Sequence, residues 1–99
     1  MKEIIANLNK IFENRYRLAV MSLLMVNETM DFNTLKNMLD LTDGNLASHI
    51  AALEKQHYVE IKKDYVDNKT ATYYSATIVG RKAFTEHLDA LEKLLKNVS

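Results

Sequence analysis

The sequence of 99 residues contains no cysteine and no proline, and only two of its residues are glycine. Without cysteine the chain can form neither a disulfide framework nor a thiolate zinc site, a composition that suits a reducing cytoplasm. The scarcity of proline and glycine argues against disorder and against an all-β sandwich with its many tight turns. The sequence also lacks a run of about 18 apolar residues, so no segment is expected to span a membrane.

The charges of the chain cancel, with 13 Lys and Arg against 13 Asp and Glu. Because nucleic-acid-binding proteins are usually basic, this total alone gives no support to a nucleic acid as partner. With 47% apolar residues, a chain of this length can bury one core but not two. We therefore predict a single domain over residues 1–99.

The first part of the chain has the apolar periodicity of helices. Between Ile4 and Val26 the spacing predicts one helix or two, with Asn14 as N-cap of the second. The segment 30–32 is long enough only for a connector or one small strand. Asn33 then predicts the start of a helix of about two turns.

A helix starting after Thr42 has two faces of different chemistry. Leu46, Ile50 and Leu53 lie at i, i+4 and i+7, which predicts the buried face. The opposite side is small and polar, with Asn45 and His49 flanking it, and consists of Gly44, Ser48, Ala52 and Lys55. An ordinary solvated helix would carry more Lys and Glu there, so this face suits a surface that something must approach closely.

After Tyr58 the apolar period changes from helical to alternating, which predicts two strands. The polar segment 64–71 between them, with Asp67-Asn68-Lys69 at its centre, predicts the loop of a hairpin. Thr77 is the expected cap of a last helix. The apolar positions of that helix follow a 4-3-4-3 spacing that predicts a narrow seam, and they are Phe84, Leu88, Leu91, Leu95 and Val98.

This order of elements is that of a winged helix, a mainly α (α+β) fold. The helix-turn-helix covers about residues 33–57, the two-stranded wing about 59–76 and the C-terminal helix about 77–96. In this design the second helix of the turn enters the DNA major groove and the hairpin reaches the neighbouring backbone or minor groove.

Segment 41–50, continued by Leu53-Glu54 and Tyr58-Val59, resembles the recognition helix of small prokaryotic MarR/ArsR-like winged-helix transcriptional regulators. Segment 17–20 and the residues Thr77, Gly80 and Arg81 support the resemblance, which covers about residues 15–85. It implies sequence-specific binding to double-stranded DNA as a homodimer. The residues that it places at the DNA surface are Thr42, Gly44, Asn45, Ser48 and His49.

The sequence departs from the family pattern in two places. His57 stands where relatives commonly end the recognition helix with glycine in a left-handed conformation, which histidine tolerates at some cost. At the wing, relatives often carry Arg and Pro near the tip, whereas here segment 67–70 offers one positive and one negative charge. This difference argues against deep insertion of the wing into the minor groove.

Phosphate contacts can come from a local cluster although the total charge is zero. Lys62, Lys63 and Lys69 lie on or beside the predicted wing, and Arg15 and Arg17 begin the helix that usually lies near DNA in such folds. The amides at the start of the recognition helix add an anion-favouring site without formal charge.

Apolar residues near both ends of the chain exceed what a winged-helix core of about 60 to 70 residues obviously covers. Two recognition helices must also be held about 34 Å apart to read a two-fold operator. We therefore expect a dimer seam formed by Ile4, Leu8, Ile11, Phe12, Phe84, Leu88, Leu91 and Leu95. The alternative is that these helices pack only on their own subunit.

Catalysis and metal binding have little support in the sequence. Ser48 and His49 point about 100° apart on one helix, so they cannot form a nucleophile and base pair. Side chains of Glu86, His87, Asp89 and Glu92 could ligate a metal across a dimer, but a solvated flank explains them more simply. We expect no enzyme activity, no cofactor and no metal.

The methionines and the charge balance leave two points open. Met21, Met25, Met30 and Met38 are most simply core residues, although flexible methionines could also line the pocket of a small-molecule effector. The sequence thus predicts a cytoplasmic homodimeric transcription factor, most often a repressor. The alternative is a winged-helix module that binds protein without DNA, which the zero net charge favours.

Overall fold

The structure is a computed structural model that describes residues 1–98. Its elements in chain order are α1 (Lys2–Ala6), a 3₁₀ turn (Lys10–Phe12), α2 (Arg15–Val26), β1 (Met30–Asp31), α3 (Phe32–Leu39), α4 (Asp43–Lys55), β2 (Val59–Val66), β3 (Lys69–Ala76) and α5 (Ile78–Val98). This order confirms the predicted α+β winged helix. The apolar stripe near the N-terminus forms two short helical pieces before α2 and not one long helix.

Side-chain caps start three of the helices where the sequence predicts them. The Asn14 side chain accepts from the backbone N–H groups of Tyr16 and Arg17, at 3.0 and 3.1 Å. Thr42 Oγ1 accepts from the amide of Asn45 at 3.2 Å, and Thr77 Oγ1 caps α5 in the same way. Each cap satisfies a donor that has no partner inside its helix.

The predicted cap of α3 is wrong. Asp31, and not Asn33, precedes this helix, and its carboxylate accepts from the Thr34 backbone amide at 3.1 Å and from the Thr34 hydroxyl at 2.6 Å. The Thr34 hydrogen bond lowers the pKa of the Asp31 carboxyl, which keeps the cap ionised. The last residue of β1 therefore starts α3 directly, with no connector between them.

The sheet has three antiparallel strands in the order β1-β3-β2, so the two-residue strand β1 extends the predicted two-stranded wing. Strands β2 and β3 stay paired up to Val66 and Lys69. The loop expected over 64–71 is therefore only two residues long. Asp67 and Asn68 both have positive φ, 51° and 62°, as a tight I′ turn requires. Asp and Asn tolerate this conformation, so the turn forms without glycine.

One core lies between α2, α3, α4, the base of the sheet and the start of α5. Its completely enclosed side chains include Leu24, Leu35 and Leu53. Phe12 and Phe84 also belong to this core, with rings meeting edge to face at 5.2 Å. They are 2% and 4% exposed. These two residues, which were expected in the dimer seam, are therefore too buried to contact a second copy.

The chain leaves α4 through the left-handed residue that the sequence analysis expected at His57, whose φ is 61°. The Tyr58 amide then donates to the Leu53 carbonyl at 3.0 Å, which closes the helix end. Tyr58 in turn accepts from the Thr77 amide at 3.0 Å, so the end of α4 lies directly against the start of α5. Gly80 makes this approach possible, because a Cβ there would lie 2.8 Å from the Tyr58 carbonyl carbon.

Candidate nucleic-acid interface

Helix α4 presents a shallow face of short side chains. Leu46, Ile50 and Leu53 fix the helix in the core, as predicted. The exposed positions along its other side are Gly44, Asn45, Ala47, Ser48, Ala51 and Lys55. Ala51 therefore takes the outward position that the sequence analysis gave to Ala52, which is half-buried. From Gly44 to Ala51 the face can contact a partner without moving a long side chain aside, and Lys55 is the one long side chain on it.

The start of α4 carries an ion pair that the sequence analysis missed. Lys36 Nζ of α3 lies 2.8 Å from Asp43 Oδ1, at the first residue of α4. Half-burial of Lys36 keeps its ammonium group beside this end of the helix. The acidic residue nearest the helix start is thus neutralised locally, so an anion can approach Thr42 and Gly44 without facing an unpaired carboxylate. The only sequence signal for this pair is the seven-residue spacing across the turn, which does not specify a contact.

The flank of α4 packs on the first turn of α2. The ring centroids of Tyr16 and His49 are 5.6 Å apart and their planes are inclined by 32°. Both side chains are half-buried. Burial lowers the pKa of His49, and the positive charge of Arg17 lowers it further. His49 is therefore a neutral donor and acceptor in this surface and not a cation at neutral pH.

The two arginines at the start of α2 have different surroundings. Arg15 is exposed, whereas Arg17 is half-buried and its Nε donates to the Ile11 carbonyl at 2.7 Å. This bond ties α2 to the 3₁₀ turn. Arg15 is thus free to move toward a phosphate, and Arg17 reaches one only with the outer nitrogens of its guanidinium group.

The wing carries its three lysines on two faces. Lys62 pairs with Tyr73 and Val66 pairs with Lys69 in the β2–β3 register, so Lys62 and Lys69 lie on the same face. Lys63 pairs with Thr72 and lies on the other face. Every residue from 60 to 70 is exposed. The structure therefore places two of the predicted phosphate contacts on one face of the wing and the third on the other.

The comparison with known protein families identifies the same winged-helix fold. Residues 16–95 match the family described as a winged helix DNA-binding domain. The chain belongs to this winged helix family. An uncharacterized protein of Methanocaldococcus jannaschii is 38% identical to it over 89 residues, which are 90% of this chain and 97% of that protein.

Two solved structures resemble this winged helix protein. A transcriptional regulator homologue from Pyrococcus horikoshii OT3 superposes with a TM-score of 0.87 at 31% identity, covering 99% of this chain and 95% of the other. A protein described as a transcriptional regulator of the MarR family, from Enterococcus faecalis V583, gives a TM-score of 0.71 at 22% identity, with coverages of 88% and 74%. The winged helix protein thus has a MarR-like fold, and its family and fold are those of DNA-binding transcriptional regulators.

The terminal elements of the winged helix protein leave an apolar strip in solvent. On α5, Leu88, Leu91 and Leu95 are 43%, 37% and 74% exposed at the spacing of one helix face. Ile4, Leu8 and Ile11 lie in the N-terminal arm, the segment 1–14 before α2, and are half-buried. Of the eight residues expected in a dimer seam, six therefore keep accessible surface, while Phe12 and Phe84 lie in the core.

Two expectations for other residues of the winged helix protein need correction. His87 is buried and not part of a solvated flank, because its Nδ1 accepts from the Asn9 amide at 3.0 Å. Met38 is 59% exposed and is not a core residue, unlike the enclosed Met21.

Residues 1–98 contain no group of three or more His, Cys, Asp or Glu side chains that could hold a metal ion. In the same range no helix has both the length and the apolar character needed to cross a membrane.

Proposed function

We propose that this protein is a cytoplasmic homodimeric transcriptional repressor that reads a two-fold DNA operator with α4. The exposed face of α4 carries the proposal, because its side chains from Gly44 to Ala51 are short while three buried residues hold the helix in the core. A helix with its side chains is about 10–12 Å across and the major groove about 12 Å wide, so a face of this kind can lie against base edges.

Asn45 is the residue on this face best suited to read a base. Its exposed amide can form a bidentate pair with adenine, a contact worth about 1–3 kcal/mol of discrimination. Ser48, one turn further along the same side, can bond either a base edge or a phosphate. Thr42 and Gly44 lie at the start of the helix, where free amides and the helix dipole favour a phosphate.

Phosphate contacts away from α4 are assigned to Arg15 and to the wing lysines Lys62, Lys63 and Lys69, with a smaller contribution from Arg17. If a dimer makes about four to six such contacts, the logarithm of the binding constant falls against the logarithm of salt with a slope of about −4 to −5. A neutral protein can bind DNA in this way because its cations, and not its total charge, meet the backbone.

A second copy is expected to cover the exposed leucines of α5. Covering this strip removes apolar surface from water and fixes the distance between two α4 helices. The operator is then a two-fold site with half-sites about 34 Å apart. Occupation of such a site represses by excluding polymerase, and a small-molecule effector that changes the dimer would regulate it.

Selection from random duplexes, followed by binding titrations at several salt concentrations, tests this function. Enrichment of a two-fold site is the expected result. Asn45→Ala should then weaken binding to the selected site by about 5- to 100-fold and relax the preference at one base position. The matched control is Asn97→Ala, on an exposed part of α5 away from α4, which should leave both affinity and preference unchanged.

A protein-binding winged-helix module is the second candidate, favoured by the balance of 13 positive and 13 negative charges. Failure of the selection to enrich any site, together with binding that does not depend on salt, would overturn the DNA-binding proposal in favour of this one.

A further inference from the structure

Tyr16 fills a position that the DNA-binding assignment leaves unexplained. It lies in the first turn of α2, outside the recognition helix, yet its ring packs 5.6 Å from that of His49 on α4. The two residues are 33 positions apart in the chain, so only the fold brings them together.

The backbone on both sides of Tyr16 is held in place. Asn14 accepts from the amides of Tyr16 and Arg17, which fixes the first turn of α2. The Arg17 side chain then donates from Nε to the Ile11 carbonyl at 2.7 Å and ties the same turn to the preceding 3₁₀ segment. The backbone that carries the Tyr16 ring is therefore fixed on both sides.

The helical spacing places this ring pair at the outer end of the α2–α4 contact. Val20, four residues after Tyr16, and Leu53, four residues after His49, are both enclosed in the core. One turn toward the start of each helix, the same two faces carry Tyr16 and His49, which are half-buried. His49 thus has one side against a ring and the other at the edge of the exposed face of α4.

The surroundings of His49 determine which contacts it can make. Burial and the neighbouring Arg17 charge both lower the pKa of His49, so the neutral form prevails at neutral pH. A neutral imidazole has one donor and one acceptor nitrogen and suits a base edge, such as the acceptors of guanine or the O4 of thymine, better than a phosphate. Such a contact needs a fixed ring orientation.

We propose that Tyr16 is a positioning residue for operator recognition, whose ring holds the His49 imidazole so that His49 reads one base pair. The inference rests on the proposed DNA binding and adds a specificity residue outside the recognition helix. Tyr16 itself touches no base in this arrangement. Tyr16 contributes by restricting the rotation of the His49 ring. A freely rotating ring would lose conformational entropy on binding, which weakens a directional hydrogen bond.

A double-mutant cycle on the selected operator and on its single-base variants tests the proposal. His49→Ala should lower the discrimination at one base pair by about 5- to 100-fold. Tyr16→Leu, which keeps an apolar side chain, should lower discrimination at the same base pair by at least about threefold, and Tyr16→Phe should retain it. In the double variant Tyr16→Leu adds no more than about a twofold further change.

Arg15→Ala is the matched control, one residue away in the same helical turn. It should weaken binding to all sequences alike and combine additively with His49→Ala, because a phosphate contact carries no sequence information. Denaturant midpoints of all variants separate a folding defect from a recognition defect, and Tyr16→Met supplies a second apolar variant without a ring if Tyr16→Leu does not fold.

Two results would overturn the inference about Tyr16 while leaving the DNA-binding proposal intact. One is an additive cycle for Tyr16 and His49. The other is a loss of affinity in Tyr16→Leu, or in Tyr16→Met where only that variant folds, that is equal on every base variant, which a merely structural role would produce. Failure of the unaltered protein to select any operator overturns the proposed function instead, so the two failures are distinguishable.

Discussion

The backbone N–H of Asn9 donates a 3.0 Å hydrogen bond to Nδ1 of His87, a residue 78 positions later in the chain. The Asn9 side chain extends this contact, since Nδ2 donates to the Tyr58 hydroxyl at 2.9 Å and Oδ1 accepts from the Ile11 amide at 3.0 Å. One asparagine thus joins the N-terminal arm, α5 and the end of the recognition helix. Because Nδ1 of His87 accepts this bond, the imidazole is neutral in the folded state.

This contact predicts that the protein loses stability in mild acid. Burial lowers the pKa of His87, and the carboxylate of Glu13 opposes the shift only in part. Above the ordinary histidine pKa of 6.5 both the folded and the unfolded chain are neutral at this position, and stability is complete. As the pH falls below that value the unfolded chain takes up the proton first, so the free energy of unfolding decreases, by at most about 1.4 kcal/mol per pH unit for one proton.

Urea denaturation between pH 7.5 and 5 measures this effect. His87→Gln keeps an acceptor for the Asn9 amide but has no titrating group. The free energy of unfolding should therefore change less with pH in this variant. The pKa of His49 is lowered as well, and His49→Gln should reduce the slope by less because that ring is half exposed to water. An unchanged pH dependence in His87→Gln would contradict the prediction.

The two glycines predict opposite effects of the same substitution. A Cβ at Gly80 would meet the backbone of Tyr58, with the α-carbon and the carbonyl carbon each at 2.8 Å, and backbone cannot rotate away. We expect Gly80→Ala to cost about 2 kcal/mol or more. A Cβ at Gly44 meets no atom within 4 Å, so Gly44→Ala should be neutral or stabilising by up to about 1 kcal/mol. Denaturant midpoints of both variants check this, and equal midpoints would refute it.

Phe12 should matter for folding and not for association. Its ring stacks on Tyr58 with centroids 5.4 Å apart and meets Phe84 edge to face. Phe12→Ala should lower the free energy of unfolding by about 3–5 kcal/mol, as truncation of a buried aromatic ring usually does. If a dimer forms, the loss should be similar at low and high protein concentration. A variant of unchanged stability that dissociates into monomers would show that Phe12 is a seam residue after all.

Leu91 should matter for association and not for folding. It is 37% exposed on the apolar strip of α5, so a charge there is tolerated by the folded subunit but not inside a seam between two copies. Leu91→Glu should give monomers in sedimentation and weaker DNA binding. Ser48→Glu, which adds the same charge on α4, should keep the dimer and lose only DNA. A Leu91→Glu protein that remains dimeric would disprove the proposed seam.

Local spacing explains how much of the architecture the sequence predicts. The stripe of Leu46, Ile50 and Leu53 and the Thr42 cap depend on neighbours within one helix, and both appear as predicted. The change to alternating residues after Tyr58 likewise indicates the strands. The helical stripe at Phe12 and Phe84 shows only that an apolar face is covered, and periodicity cannot distinguish the core of the same subunit from a second copy.

Features that depend on distant contacts were beyond sequence reasoning. His87 reads as part of a charged flank until Asn9 is placed beside it. No local pattern marks Tyr16, because its partner lies on another helix 33 residues away. The sequence predicts too long a wing loop, because a two-residue turn needs two consecutive left-handed residues, which are uncommon without glycine. In the structure Asp67 and Asn68 adopt this conformation.

The outer strand of the wing has a consequence for the behaviour of the protein at high concentration. Within the described chain β2 has β3 as its one neighbour, so the peptide groups along its other side are open to a strand from another molecule. Four of the five residues from 60 to 64 in this strand are charged, namely Glu60, Lys62, Lys63 and Asp64. Charged side chains on an edge strand, lysine above all, disfavour edge-to-edge pairing with a second copy, which discourages fibril-like association and keeps the hairpin available as a single projecting arm.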